Sequence, residues 1–260
     1  MLILNEEQYA KDLYDGKNDD VKSLMAKIRY IVRYLIHSEK MSGDDVYREI
    51  VRWLTIHHNN FDESSYSNVI SDTIRAAQKY PFYIIDNIKI TKSELEIISS
   101  LNNLRAEKIL FVLLCMAKQQ SMANGFVNGL VKYTITDLCK AARVSVPAED
   151  REYILYEIVK KGLLGYPKKN NTQCLIVNFM NVDEVELELD EADCKELAYV
   201  YLNWKNNGKG YTKCKRCSRW MKQSKTKPKK YCEDCARAVQ TEQKRLWAEK
   251  SRKNLTQQND

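Results

Sequence analysis

Tyr211 to Ala236 reads YTKCKRCSRWMKQSKTKPKKYCEDCA and decides how the C-terminal part of this 260-residue chain folds. Cys214-Lys-Arg-Cys217 and Cys232-Glu-Asp-Cys235 are two CxxC pairs separated by 14 residues. A CxxC turn places two thiolates on one metal ion while its backbone N–H groups donate to sulfur, and two such turns close a tetrahedral four-sulfur site. Four soft ligands with no open position predict one structural Zn²⁺; a single iron fits the same ligand set less well. All three histidines lie before residue 60, so none is expected at the site. A segment of about 50 residues with few aliphatic side chains lacks the core to fold on burial alone, so metal binding supplies its folding energy. Tyr211, Trp220 and Tyr231 are its expected miniature core, with a base-stacking platform as the alternative reading.

Charge is concentrated in the same place. From Lys205 onward 17 Lys and Arg stand against five Asp and Glu, while residues 1–204 carry 25 against 30, for a net +7 overall. A basic tail on a mildly acidic body invites a polyanion, most often nucleic acid. Lys215, Arg216, Arg219, Lys222, Lys225, Lys227, Lys229 and Lys230 surround the cysteines. Beyond Cys235 a helix is expected, with Arg237, Lys244 and Arg245 at spacings that offer phosphates a face. The other cysteines, Cys115, Cys139, Cys174 and Cys194, lie in apolar contexts and read as core.

Upstream, residues 181–210 form an acidic stretch, NVDEVELELDEADCKE and beyond, in which Val185, Leu187 and Leu189 alternate with acids. A short strand leading into a helix is expected there, with Asn206-Asn207-Gly208 and Gly210 as a linker to the tail, 211–260.

Residues 103–180 have the pattern of a winged helix-turn-helix. Leu104 to Gln120 is an apolar, buried helix; a looser stretch runs from Ser121 to Lys132. Thr136-Asp137 starts a short helix, and Glu149 to Lys161 is a second, with Tyr153, Ile154 and Ile158 inward and Gly162 after its end. Leu163–Tyr166 and Gln173–Phe179 read as two strands around a basic tip, Lys168-Lys169-Asn170-Asn171. Helix, helix–turn–helix and hairpin in that order define the motif. Its second helix holds Glu149, Asp150, Glu152 and Glu157 against Arg151, Lys160 and Lys161, a poor charge for approaching phosphate. Lys140, Arg143 and the tip lysines Lys168 and Lys169 are better placed for it.

Residues 1–102 are expected to be all helical. Val21, Leu24, Ile28, Ile31 and Leu35 recur at helical spacing within Asp19–Lys40, and Val46, Ile50, Trp53 and Leu54 continue it after a cap at Ser42 or Asp44. A third helix over Ser65–Lys79 places Val69, Ile70, Ile74 and Ala77 inward. Tyr80-Pro81 stops it, because the residue before proline disfavours the α region. Thr91-Lys92-Ser93-Glu94 is a capping box. The fold class is therefore mainly α: a helical N-terminal unit, a winged helix-turn-helix with a small β-hairpin, and a C-terminal four-cysteine zinc finger with a trailing basic helix.

Tyr80-Pro81, the run IKITKSELEIISSL (Ile88 to Leu101), LFVLLCMAK (Leu110 to Lys118) and KKYCEDCA (Lys229 to Ala236) together resemble a group of uncharacterised bacteriophage and prophage proteins from low-GC Gram-positive bacteria. The resemblance covers roughly residues 20–240. It implies origin in a mobile element and work in the host cytoplasm, and it brings no catalytic residue. One position departs from it: many such zinc modules carry glycine directly after the first CxxC, where this chain has Ser218.

No nucleotide-binding glycine loop, nucleophile elbow or HExxH is found, and the nine-residue apolar run Ile109–Ala117 is about half a membrane span. MLILNEEQYAKD has no basic start and is not a signal peptide. His57, His58, Asp62 and Glu63 are the one tempting catalytic cluster. Histidines in a last helical turn more often serve the terminal carbonyls. The expectation is a non-enzymatic protein that binds nucleic acid through its tail, with neither a membrane nor a small-molecule partner. The alternative is a phage protein that modulates a host machine, such as RNA polymerase, a replication factor or a defence nuclease.

Overall fold

The computed structural model describes residues 2–18, 23–168, 174–224, 226 and 228–256, with side chains described as far as 249. The chain divides into two compact units, Ile3–Asn87 with Met122–Gly125, and a second made of Leu2 and most of the chain from Ile88 on.

Four helices build the first unit, and each starts on the side chain its sequence offers. Asn5 caps α1 (Glu6–Tyr14), Ser23 caps α2 (Leu24–His37), Ser42 caps α3 (Gly43–His57) and Asp62 caps α4 (Glu63–Ala77). Each cap oxygen accepts a backbone N–H that the first turn would leave unpaired. Ile28, Ile31, Leu35, Val46, Ile50, Leu54 and Ile70 form the core. Val69, expected inward, is 37% exposed, while its neighbour Ile70 fills the core position. Val21 lies outside the described residues. Arg33 pairs with the buried Glu6 at 2.7 Å and donates to the carbonyls of Tyr80 and Pro81, tying α2 to the chain after α4. His57 stacks on Trp53, Asp62 is engaged as a cap, and Glu63 accepts from Tyr47. The cluster singled out in the sequence thus serves helix ends and packing.

The second unit is organised by the part of α6 (Leu104–Asn124) that runs as far as Ser121, where Ile109 to Cys115 are all buried, as a helix apolar on every side requires. Strand β1 (Ile88–Thr91) precedes α5 (Lys92–Ser99) and pairs antiparallel with β5 (Val185–Leu189), Ile88 opposite Leu189. This pairing joins positions about 100 residues apart, so β1 and α5 belong with this unit. Thr91 and Glu94 form the expected capping box.

After α6 come β2 (Leu130–Lys132), α7 (Ile135–Ala141), α8 (Ala148–Lys160), β3 (Leu164–Gly165) and β4 (Cys174–Val177). The three strands make one antiparallel sheet in the order β2-β4-β3. Strand β2 lies in the stretch expected to be loose. Gly129 leads into it at φ +62, and a Cβ there would sit 2.4 Å from the Val177 carbonyl oxygen, so glycine is required. Ile154, Leu155 and Ile158 bury the inner face of α8. Tyr153, expected inward, is 63% exposed, since Leu155 takes the third core position. Lys169, Asn170, Asn171 and Gln173 lie outside the described residues.

Helices α9 (Glu191–Cys194) and α10 (Leu197–Lys205) follow β5. Tyr201 of α10 packs on Phe111 at 5.3 Å and donates to the buried Glu107, which also pairs with Lys205. The chain ends in the hairpin β6 (Tyr211–Lys213) and β7 (Trp220–Lys222), then α11 (Glu233–Thr256). The architecture is mainly helical with small antiparallel sheets. No helix among the described residues is long and apolar enough to cross a membrane.

Candidate metal centre

Hairpin β6–β7 pairs Lys213 with Trp220, and the six residues between them make a tight turn carrying Cys214 and Cys217. The Ser218 N–H donates to the Cys214 carbonyl at 3.0 Å and the Cys214 N–H to the Arg219 carbonyl at 2.9 Å. Ser218 closes this turn at φ +57, in the left-handed region where glycine is at ease. A serine rather than a glycine at this φ leaves the turn formed but strained. The second pair straddles the start of α11, with Cys232 just before the helix and Cys235 in its first turn. The Lys215 N–H donates to the Lys230 carbonyl, joining the two halves. Gln223 closes the intervening loop, its side chain donating to and accepting from the Lys229 backbone at 2.9 and 2.8 Å.

The four sulfur atoms lie within 4.8 Å of one another, and Cys217 and Cys232 Sγ are 3.7 Å apart. A tetrahedral ion with metal–sulfur bonds of about 2.3 Å has sulfur–sulfur edges of about 3.8 Å, so the cluster can hold one metal ion with little movement. Cys214 is buried and Cys217 exposed. Burial pushes the Cys214 thiol up, but N–H groups of Cys232, Cys217 and Arg216 donating to its sulfur outweigh that and bring it down to about 6. Burial and the neighbouring thiols push Cys235 up to about 12, and burial raises Cys217. The hydrogen bonds aimed at the Cys214 sulfur favour its thiolate, the form in which a thiol binds a metal cation. The other four cysteines are buried and scattered through the core.

The module is fastened to the acidic segment before it. Asp190 and Asp193 form a capping box at α9, and Asp193 accepts the Trp220 indole N–H at 2.6 Å and pairs with Lys213 at 2.8 Å. Tyr211 packs on Tyr199 at 5.3 Å. The guanidinium of Arg143 lies over the Tyr199 ring, 4.4 Å from its centroid, and pairs with Glu196 at 2.6 Å. Tyr211 and Trp220 therefore pack against α9 and α10 as well as within the tail, while Tyr231 is half-buried. Asp193, Lys213, Glu196 and Gln223 were not singled out from sequence. The D-x-x-D spacing of Asp190 and Asp193 was legible as a cap, but its partners from the tail were not.

The basic residues divide into two sets. Arg216 pairs with Glu242, Arg219 and Arg237 with Asp234, and Arg245 with Glu249, at 2.9 to 3.5 Å. Lys215, Lys222, Lys229, Lys230 and Lys244 are exposed and make no side-chain ion pair among the described residues. Lys168 is exposed on the second unit, while Lys169, Lys225 and Lys227 lie outside the described residues. Arg143, expected to be available to phosphate, is committed to Glu196 and Tyr199. A cleft of about 290 Å³ beside the cysteines is lined by Arg143, Tyr199, Arg219, Trp220, Lys222 and Lys229, among others.

No protein-family model matches the chain, and no curated protein or solved structure compared with it matches.

Proposed function

We propose that the protein is a zinc-stabilised nucleic-acid-binding protein of a bacteriophage or prophage, a binding protein rather than an enzyme. The observation that carries this reading is the four-cysteine cluster set within a surface of lysines unpaired among the described residues. Four thiolates with no vacant position suit Zn²⁺ in a structural role. Lys215, Lys222, Lys229 and Lys230 around it have no carboxylate partner among the described residues, which leaves their charge to neutralise phosphates. Phosphate contacts carry no sequence information, and the grip is accordingly tolerant of sequence.

The middle of the second unit supports a winged helix-turn-helix. Its order α6, β2, α7, α8, β3, β4 and its sheet order β2-β4-β3 fit that motif, with α8 as the helix that would enter a groove. The acids of α8 oppose that role, and any DNA contact from this region falls to the exposed Lys168.

The test keeps the chain whole, because removing residues from 205 onward would also strip Lys205 from buried Glu107. Lys222, Lys229 and Lys230 are replaced together by Gln, and binding is measured on two unrelated duplexes across a salt series. Affinity is expected to fall alike on both, and the slope of log K against log salt to flatten by about 0.9 for each phosphate no longer neutralised. Unchanged affinity, or a drop confined to one sequence at constant slope, would overturn the reading.

A further inference from the structure

The outer face of α8 has chemistry of its own. With Ile154, Leu155 and Ile158 turned inward, Glu149, Glu152, Tyr153 and Tyr156 line up outward at spacings of three and four. Tyr153 is 63% and Tyr156 55% exposed, with their rings 6.5 Å apart. Tyr166, just after β3, is 59% exposed. Tyrosines grouped on a surface and ringed by acids have the composition of an interface.

The C-terminal half of α11 is its complement. Trp247 is 73% and Leu246 47% exposed, and Lys244 and Arg245 beside them are exposed too. Residues 243–256 carry five Lys and Arg against the single acid Glu249, whereas α8 carries four acids against Arg151 and Lys160. A helix that is polar on most sides and carries exposed anchors of this size gains stability from a surface it docks on. Among the described residues of its own chain, none covers Trp247.

We propose that two copies of the chain associate by exchange, the Lys244–Trp247 stretch of each α11 docking on the Glu149–Glu152–Tyr153–Tyr156 face of the other copy's α8. Reciprocal use of the same two surfaces closes the assembly as a dimer. At about 1.5 Å per residue, α11 extends about 36 Å, enough to reach a second molecule. Indole on tyrosine supplies apolar burial, and lysine and arginine meet carboxylate and aromatic faces. The exchange does not depend on nucleic-acid binding by the tail. Where both occur they compete, because the dimer covers Lys244 and Arg245.

The test reads the mass of the full chain by light scattering at low and high salt. Wild type is expected to be a dimer at low salt that dissociates as salt rises. Glu149→Lys with Glu152→Lys in one chain, and Lys244→Glu with Arg245→Glu in another, should each give monomers. An equal mixture should restore the dimer, because both contacts in the mixed pair again join opposite charges. Trp247→Ala should weaken association at least about tenfold. All these side chains are on the surface, and circular dichroism checks that the variants remain helical. A wild-type monomer at low salt, a dimer indifferent to both charge reversals, or a mixture that stays monomeric would each overturn the proposal.

Discussion

Replacing Ser218 by glycine should tighten metal binding. Ser218 sits at φ +57, where the Cβ of an L-residue crowds the following carbonyl at a cost of about 1–2 kcal/mol. Glycine removes that crowding but brings extra freedom to the unfolded chain, which offsets about 0.5–1 kcal/mol of the gain. Taking the middle of both ranges, the net gain is about 0.7 kcal/mol for the turn. The N–H that Ser218 donates to the Cys214 carbonyl is retained in glycine. Cys214 and Cys217 meet only when this turn forms, so the gain passes into metal affinity as an increase of about two- to fivefold. Ser218→Val should act the other way, because a β-branched side chain at this φ is more strained than serine. The assay is competition for the metal against a calibrated chelator at fixed pH, with the full chain. Equal affinities for serine, glycine and valine would refute the link between turn strain and the metal centre, as would a weaker glycine variant.

Glu94 is fully buried and accepts from the Thr91 and Asn181 N–H groups at 2.8 and 2.7 Å while pairing with Lys118 at 2.7 Å. Glu94→Ala leaves both amides unpaired and takes from Lys118 its carboxylate, so that only the Lys89 and Asn181 carbonyls still accept from it, and should cost about 3–5 kcal/mol, read by urea unfolding; a cost under about 1 kcal/mol, the level of an exposed ion pair, would show that these partners are dispensable. Hydrogen bonds from Ser65 first, then Ser64, hold the Asp62 carboxyl below its usual range. A carboxyl lowered in the folded state stabilises it above the unfolded value of about 4, and that contribution is lost as pH falls through the folded value. Acid unfolding followed by circular dichroism should therefore be less steep in Asp62→Asn, which keeps a cap but does not titrate; an identical acid limb would remove Asp62 from the account.

The parts of the fold that were legible in sequence are those decided within a few residues. Ser42 and the Thr91–Glu94 box start helices where expected, and Ile28, Ile31 and Leu35 share one buried face. The CxxC spacing brings four sulfurs together. What escaped depends on partners distant along the chain. Ile88–Thr91 reads as the approach to a helix until its pairing with Val185–Leu189 is known. Tyr153 and Val69 lie beside true core positions, and apolar character alone does not say which of two neighbours the helix turns inward. Trp220 was legible as an aromatic near the metal, but the Asp193 carboxylate that fixes its indole comes from the acidic segment upstream. Arg143 likewise reads as an exposed cation until Glu196 and Tyr199 are placed against it.

The most direct measurement on the central claim is elemental analysis of the freshly purified, reduced full chain beside Cys232→Ser. The account predicts about one zinc per wild-type chain, and a marked depletion of it in the variant, with the Trp220–Asp193 hydrogen bond loosened while the core around α6 stays folded. Wild-type protein without zinc, or a Cys232→Ser protein that holds it as tightly, would contradict the account.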